Sequence, residues 1–387
     1  IALDQIAERA AELVRAGVDV IVIDIAHGHS VVMSRAVVEA RAGRLFTRYD
    51  GNLTSVDGLP DFAREERLVS PTSLESYAVC PHAYFVERLL GVRPVEQPED
   101  TYSMSPADIG LLVHACMERL VDDFRDDLPG PGEPWTAAQR ARLLEIADDQ
   151  TREAEARGLT GHPRLWRPER QRVFGDLVAM LDADDRWRAS VGARVVASEL
   201  TFGMEGRPPV EVAVPGGRVL MRGSADKVDA ADGRLFVTDI KTGSRRAFRD
   251  ITQADPLVGG TKLQLPVYAY AARAAYGDDG TPVTAGYWFV RREPGRLDVE
   301  LTDDVESAYA ETLDVLVRSI AGGLFPAKAP ETPDFAWVQC PYCNPDGIGH
   351  VEQRERWERQ RTDPALHDLV ALIDPEGLPV GEEKETA

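Results

Sequence analysis

Asp226, Asp239 and Lys241 are the residues of this chain whose types and spacing best suit chemistry. They lie in GSADKVDAADGRLFVTDIKTG, residues 223 to 243, which reads as two β-strands around Asp232-Gly233. Asp-Gly is a strong hairpin signal, because a type I′ turn needs φ > 0 at both central positions. Residues facing each other across such a hairpin have numbers adding to that of the turn pair, 465, so Asp226 faces Asp239 and Ser224 faces Lys241. Opposed residues hold their Cβ atoms about 5 Å apart, and like charges placed there repel. A hard divalent cation with a preference for oxygen ligands, Mg²⁺ or Mn²⁺, relieves that repulsion. Alternation along the strand puts Lys241 on the face of Asp239. A metal held by two carboxylates with an ammonium beside it suits hydrolysis of a phosphodiester. The plainer alternative is that an Asp-x-Lys triplet in a strand marks a solvated face or a surface ion pair.

The elements around the hairpin bear on that choice. SPTS at residues 70–73 is a helix N-cap cluster with proline placed for the first turn. The helix that follows, SLESYAVCPHAYFVERLLG, is interrupted at Pro81 and ends at Gly91. GLLVHACMERLVDDF is an apolar helix carrying His114, and helices continue to about residue 190 after a Pro/Gly-rich excursion. VVASELTF reads as a strand, TKLQLPVYAYAARAAYG as a helix, TAGYWFVRR as a strand and DDVESAYAETLDVLVRSIAGG as a helix. Glu199, within VVASELTF, is either an added carboxylate at the site or a strand-edge charge. Cys116 lies two residues past His114 and so points away from it, into the packing.

The chain has 387 residues, a formal net charge of −21 and 43% hydrophobic residues. That describes a globular protein with a substantial core and excludes a surface coated with nucleic-acid-binding basic groups. A narrow basic channel remains compatible, since phosphate contacts are local. Arg245, Arg246 and Arg249, and Arg291 with Arg292, are candidates, each weighed against an ordinary solvated charge cluster. The longest apolar run, Val18 to Ile25, is far too short for a bilayer, and no signal peptide is evident. Four scattered cysteines make no disulfide framework, so a cytoplasmic location is expected.

Four features occur in one order: GLLVHACME, GSADKVD, TDIKTG and QLPVYAYA. In this the chain resembles the PD-(D/E)XK nuclease superfamily, in its RecB/AddB-type exonuclease branch, over roughly residues 70 to 361. The resemblance implies an α/β fold with a restriction-endonuclease-like core, a central mixed sheet flanked by helices with further helical insertions. It also implies His114, Asp226 and Asp239 as metal ligands, Lys241 as the residue that orients the attacking water, and Gln264 with Tyr268 as the Q-x-x-x-Y helix pair. These roles agree with the residue types: an imidazole and two carboxylates suit a divalent ion with open positions, and the ammonium adds electrostatic stabilisation. Gln264 and Tyr268, four apart, share one helix face.

Many members of the branch hold an iron–sulfur cluster on one cysteine ahead of the nuclease core and three behind it, spaced C-x2-C-x5-C. Cys80, Cys340 and Cys343 match, whereas the fourth position is Gly349, with His350 beside it. Three readings stay open: His350 completes the site, three cysteines bind a different metal, or the cluster is lost and its cysteines persist.

The expected organisation is an N-terminal segment at 1–33, a connector at 34–69, the nuclease domain at 70–361 and a charged tail at 362–387. ELVRAGVDVIVIDIAHGHS, near the N-terminus, resembles a βαβ piece of the inosine-monophosphate dehydrogenase barrel, with no catalytic-cysteine loop or further barrel after it. The expected function is a metal-dependent DNA nuclease, a single-strand exonuclease within a helicase–nuclease repair machine. The alternative is a non-catalytic DNA-end-binding or scaffolding module. No G-x-x-x-x-G-K-[ST] loop occurs, so the helicase motor would lie in cis upstream of Ile1 or in trans.

Overall fold

The computed structural model describes residues 45–93, 102–291, 294–328 and 351–377. The N-terminal segment, Arg292, Cys340, Cys343, His350 and the terminal GEEKETA lie outside the described residues.

In chain order the elements are β1 (Leu68–Val69), α1 (Pro71–Val79), α2 (Pro81–Tyr84), α3 (Pro106–Asp123), α4 (Ala137–Ala156) and α5 (Pro163–Val191). They continue with β2 (Arg194–Phe202), β3 (Val210–Val214), β4 (Gly217–Met221), β5 (Gly223–Ala231) and β6 (Arg234–Lys241). Then come α6 (Gln264–Tyr276), β7 (Val283–Phe289), β8 (Gly295–Glu300), α7 (Asp303–Ala321), α8 (Val351–Gln360) and α9 (His367–Ile373).

Local chemistry explains the boundaries. Ser70 and Ser105 accept from the backbone N–H three residues on, each ahead of a proline in the first turn of α1 and α3. Cys80, extended at φ −156°, breaks the front helix ahead of Pro81. Asp232 and Gly233 have φ of 44° and 76°, both left-handed as the type I′ hairpin requires.

Five strands form the central sheet in the order β2-β5-β6-β7-β8, with β6 and β7 parallel and the other neighbours antiparallel. Its two faces read off the period of two. Leu235, Val237, Tyr287 and Phe289 pack with α6 and α7 in the larger core. Ile240, Trp288 and Val290 pack with α3, α4 and α5 in the other. The result is the mixed α/β restriction-endonuclease-like architecture, a mixed sheet flanked by helices on both sides. A second, three-stranded sheet, β1-β4-β3, is absent from the expected elements, as is β8. VEVAV alternates buried and exposed residues, so its period-two signal is present in the sequence.

Packing continues past residue 361, where a charged tail was expected. Trp357, Leu366, Leu369, Val370 and Ile373 join the main core together with Phe46 and Phe62 of the expected connector. The Phe46 N–H also donates to Asp363 at 2.9 Å. Each fully buried Leu or Val stabilises by about 1.5–3 kcal/mol, so α9 is held as part of the folded unit.

Candidate active site

Three adjacent strands each deliver one carboxylate to the same cleft. The β5–β6 pairs run from Ala231↔Arg234 to Lys227↔Thr238, all with the constant sum of 465. That register carries Asp226 opposite Asp239, as the hairpin spacing requires. On the other edge, Ser198↔Lys227 and Leu200↔Ala225 bracket Glu199 and place it across from Asp226. Glu199, although on the edge strand β2, thus faces the same cleft as Asp226. Its φ of 47° is unusual for a residue with a Cβ, and the Ser224 hydroxyl donates to its Oε2 at 2.7 Å.

His114 reaches the carboxylates from α3. One ring nitrogen, Nε2, lies 2.8 Å from the Ile240 carbonyl, and Nδ1 lies 3.0 Å from Asp226 Oδ1. The second oxygen of Asp226 accepts from the Ile240 N–H at 2.5 Å. Ile240, between Asp239 and Lys241, therefore fixes both the imidazole and the first carboxylate. Gly110, one turn before His114, allows this approach, since a Cβ there would meet Thr242 Oγ1 at 3.3 Å. Donor atoms of His114, Glu199 and Asp226 all lie within 4.8 Å of one another.

Asp239 sits beside that triad, held by a different partner. Its Oδ2 is 2.5 Å from Lys241 Nζ as an ion pair but has no geometrically sound hydrogen bond. Lys241 Nζ in turn donates to Gln264 Oε1 at 3.3 Å, and Gln264 Nε2 donates to the Tyr268 hydroxyl at 3.3 Å. Tyr287, the β7 neighbour of Asp239, also donates to Gln264 Oε1 at 3.3 Å. Apart from Tyr287, all of these side chains from His114 to Tyr268 line one cleft of about 650 Å³, closed on the far side by α3 and α4.

The electrostatics follow from the burial. Burial raises the Asp239 carboxyl to about 6, reinforced by Asp226 and opposed by Lys241 and His114. Burial also raises Glu199, with Asp226 and Glu118 adding to it and Ser224 opposing. For His114 burial acts downward, but the hydrogen bond and charge of Asp226, the charge of Asp239 and the Ile240 carbonyl prevail and raise it to about 9. Carboxylates that resist ionisation and an imidazole that holds its proton describe a negative cluster wanting a cation. One buried carboxylate oxygen without a hydrogen bond, next to His/Glu/Asp donors, is a donor set that fits a divalent ion.

Two supporting residues carry no local sequence signal. Glu75 of α1 accepts from the Leu263 N–H at 2.6 Å and so caps the start of α6, which has no capping side chain of its own. Its charge suits that helix end, where Gln264 begins. On the reverse face of the hairpin, Lys227 Nζ is bound by Asp184 at 2.9 Å and by Asp229 at 2.5 Å, all fully buried. Arg188 and the Trp135 indole complete the coordination of Asp184, at 2.7 and 2.8 Å. Lys227 and Thr238 point away from the cleft, so this network anchors the sheet behind Asp226 and Asp239.

Cys116 packs in the core as expected, whereas Arg291 is placed differently. Arg291 is paired with Glu169 and Asp176, not presented to a strand of nucleic acid. Cys116 is fully buried, its thiol pushed up to about 12 by burial. Cys80 is buried at the α1–α2 joint, while Cys340, Cys343 and His350 lie outside the described residues. No helix among the described residues is long and apolar enough to cross a membrane.

The family model described as the PD-(D/E)XK nuclease superfamily matches residues 68–347. A model for the IMP dehydrogenase / GMP reductase domain matches residues 2–65. A protein of Symbiobacterium thermophilum, named as a subunit of an ATP-dependent helicase/deoxyribonuclease, is 30% identical over 306 residues, 75% of this chain and 24% of that protein. The protein of the same name from Moorella thermoacetica is 27% identical over 234 residues, 58% of this chain and 19% of the relative. The chain thus spans about a quarter or less of these relatives. A solved structure described as "Crystal structure of SSO0001" covers 72% of this chain and 95% of its own, at 14% identity and a TM-score of 0.24.

Proposed function

Because the chain belongs to the PD-(D/E)XK nuclease superfamily, we propose that it is a divalent-metal-dependent deoxyribonuclease acting as an exonuclease on single strands. The observation that carries this reading is the row Glu199, Asp226 and Asp239 on three neighbouring strands, flanked by His114 and Lys241 in one cleft. A scaffold gains nothing from three opposed carboxylates. His114, Glu199, Asp226 and Asp239 would hold Mg²⁺ or Mn²⁺; Glu199 thereby joins the ligand set expected from sequence. The bound ion supplies Lewis acidity and an acidified water.

The chain's own residues do the rest. Lys241 Nζ, steered by Asp239 and by the Gln264 amide oxygen, presents its charge where the phosphorane's negative charge develops. Tyr268 and Tyr287 keep their protons, because burial raises both hydroxyls well above their ordinary value. Tyr268 accepts from the Gln264 amide and Tyr287 donates to its oxygen, and together they set the orientation of Gln264, and hence of Lys241. Glu75 fixes the helix end from which Gln264 projects.

The names of the relatives support a place beside a helicase motor, in cis or in trans, and we propose that this place is in cytoplasmic DNA repair and recombination. We place an iron–sulfur or other metal site at Cys80, Cys340 and Cys343, with His350 as the fourth ligand. Degradation of end-labelled single-stranded DNA with Mg²⁺ or Mn²⁺, against EDTA, tests the nuclease reading. Glu199→Gln is expected to raise the metal concentration needed for cleavage by about 10-fold or more, as loss of one carboxylate ligand should. Binding of DNA without metal-dependent cleavage would favour a non-catalytic module.

A further inference from the structure

Past Lys241 the chain enters a short 3-10 turn, Arg245–Phe248, with Ser244 capping the Arg246 N–H. Phe248 fastens this turn to the sheet, its ring centroid 4.7 Å from that of Tyr287 and 5.3 Å from that of Phe289. The same ring lies between two ammonium groups, Lys262 Nζ at 4.5 Å and Lys241 Nζ at 6.0 Å. The turn is therefore continuous with the cleft through Lys241.

Three arginines stand exposed on it, Arg245, Arg246 and Arg249. Arg245 lies over Phe289 and donates to the Arg296 carbonyl at 3.4 Å, with no carboxylate partner among the described residues. The Arg246 guanidinium has none among them either. Arg249 meets only its exposed neighbour Asp250, at 3.4 Å. An exposed pair of that kind is worth little and is readily exchanged. The contrast within this protein is informative: Arg291, beside another cleft, is consumed by Glu169 and Asp176. In a chain of net charge −21, Arg245 and Arg246 have no acidic partner among the described residues and Arg249 has only Asp250, so three neighbouring guanidinium groups stay available to an anion just past Lys241.

We propose that Arg245, Arg246, Arg249 and Lys262 form a phosphate rail that holds the backbone of the DNA strand on one side of the scissile bond. The proposal rests on the nuclease reading of the cleft. Guanidinium and ammonium groups recognise phosphodiesters without reading bases, so the rail is independent of sequence and its grip is salt-dependent.

The test separates binding from cutting. The full chain carrying Asp239→Asn is titrated with a fluorescently labelled oligothymidylate in EDTA, by anisotropy, between about 50 and 200 mM salt. Replacing Arg245, Arg246 and Arg249 together by Ala is expected to weaken binding at least about 10-fold. Loss of three phosphate contacts should also reduce the slope of log K against log[salt] by about 2. These side chains are exposed, so the fold should tolerate their loss. The same triple change in the otherwise native chain should leave Mn²⁺-dependent hydrolysis of bis(4-nitrophenyl) phosphate unchanged, because that small ester does not reach the turn. Unchanged affinity and slope, or no binding by the parent protein at the lowest salt, would overturn the rail and leave the nuclease reading standing. Loss of small-ester hydrolysis in the triple variant would overturn it too, by placing the arginines at the chemistry. If the native chain cuts neither DNA nor the ester, the nuclease reading fails, and the binding comparison still judges the rail.

Discussion

Replacing Asp239 by Asn isolates the electrostatic cost of assembling the cleft without metal. Burial, with Asp226 adding and Lys241 opposing, raises this carboxyl from its ordinary 3.8 to about 6. The folded state therefore binds the proton more tightly than the unfolded chain does. Well below its ordinary 3.8 the residue is protonated in both states and costs nothing. The cost grows as pH rises toward 6 and is constant above it. A displacement of that size corresponds to ~3 kcal/mol at most, reduced by whatever relaxation the metal-free cleft permits. In EDTA, the Asn variant should differ least from the native chain near pH 4 and exceed it in thermal stability by several degrees at pH 7, since 1 kcal/mol moves Tm by about 2–4 °C in a domain of this size. Added Mn²⁺ should reverse the order, because the native site gains a bound cation and the variant gains less. Cleavage of DNA should be lost. Thermal scans from pH 4 to 8 decide the matter. A variant less stable than the native chain across that range, or a difference independent of pH, would refute the claim that opposed carboxylates strain the hairpin.

His114, raised to about 9 in the metal-free protein, must release its proton to bind a metal, so Mn²⁺ affinity measured by calorimetry should rise with pH up to about 9 and proton release should accompany binding. Its protonated form stabilises the apo fold fully below its unfolded value near 6.5, and that contribution should fade as pH climbs through 9. Lys241→Ala should keep Mn²⁺ affinity within a few-fold and lose most of the cleavage rate, because its charge serves the transition state; equal losses in both would contradict its assignment. Lys227→Met strands the buried Asp229 carboxylate and should destabilise by about 3–5 kcal/mol in urea unfolding, the usual cost of removing one partner of a buried ion pair. Anaerobically purified protein should contain iron tied to Cys80, Cys340 and Cys343, and metal analysis finding neither iron nor zinc near one site per chain would remove that proposal.

Much of the centre of this protein was legible in one hairpin. The Asp232-Gly233 turn admits one register, and once the register is set, Asp226 must face Asp239 and Lys241 must share their side. Those relations are local, spanning sixteen residues, so backbone geometry alone dictates them. The N-cap at Ser70 was legible for the same reason. Glu199 was ambiguous because its place depends on the pairing of β2 with β5, which no spacing within VVASELTF expresses. Glu75 and Leu263 are 188 positions apart, and the cap they form exists only when α1 and α6 pack together. The ions around Lys227 are equally invisible in sequence, since Asp184, 43 positions away, meets Lys227 only when its helix is laid against the sheet. The amphipathic residues of α9 joined the core against the expectation of a charged tail, because a few apolar side chains with a surface to cover outweigh composition. Short-range stereochemistry was written in the chain itself; which distant groups neutralise, cap or cover one another was decided by the packing of the sheet between its two helical layers.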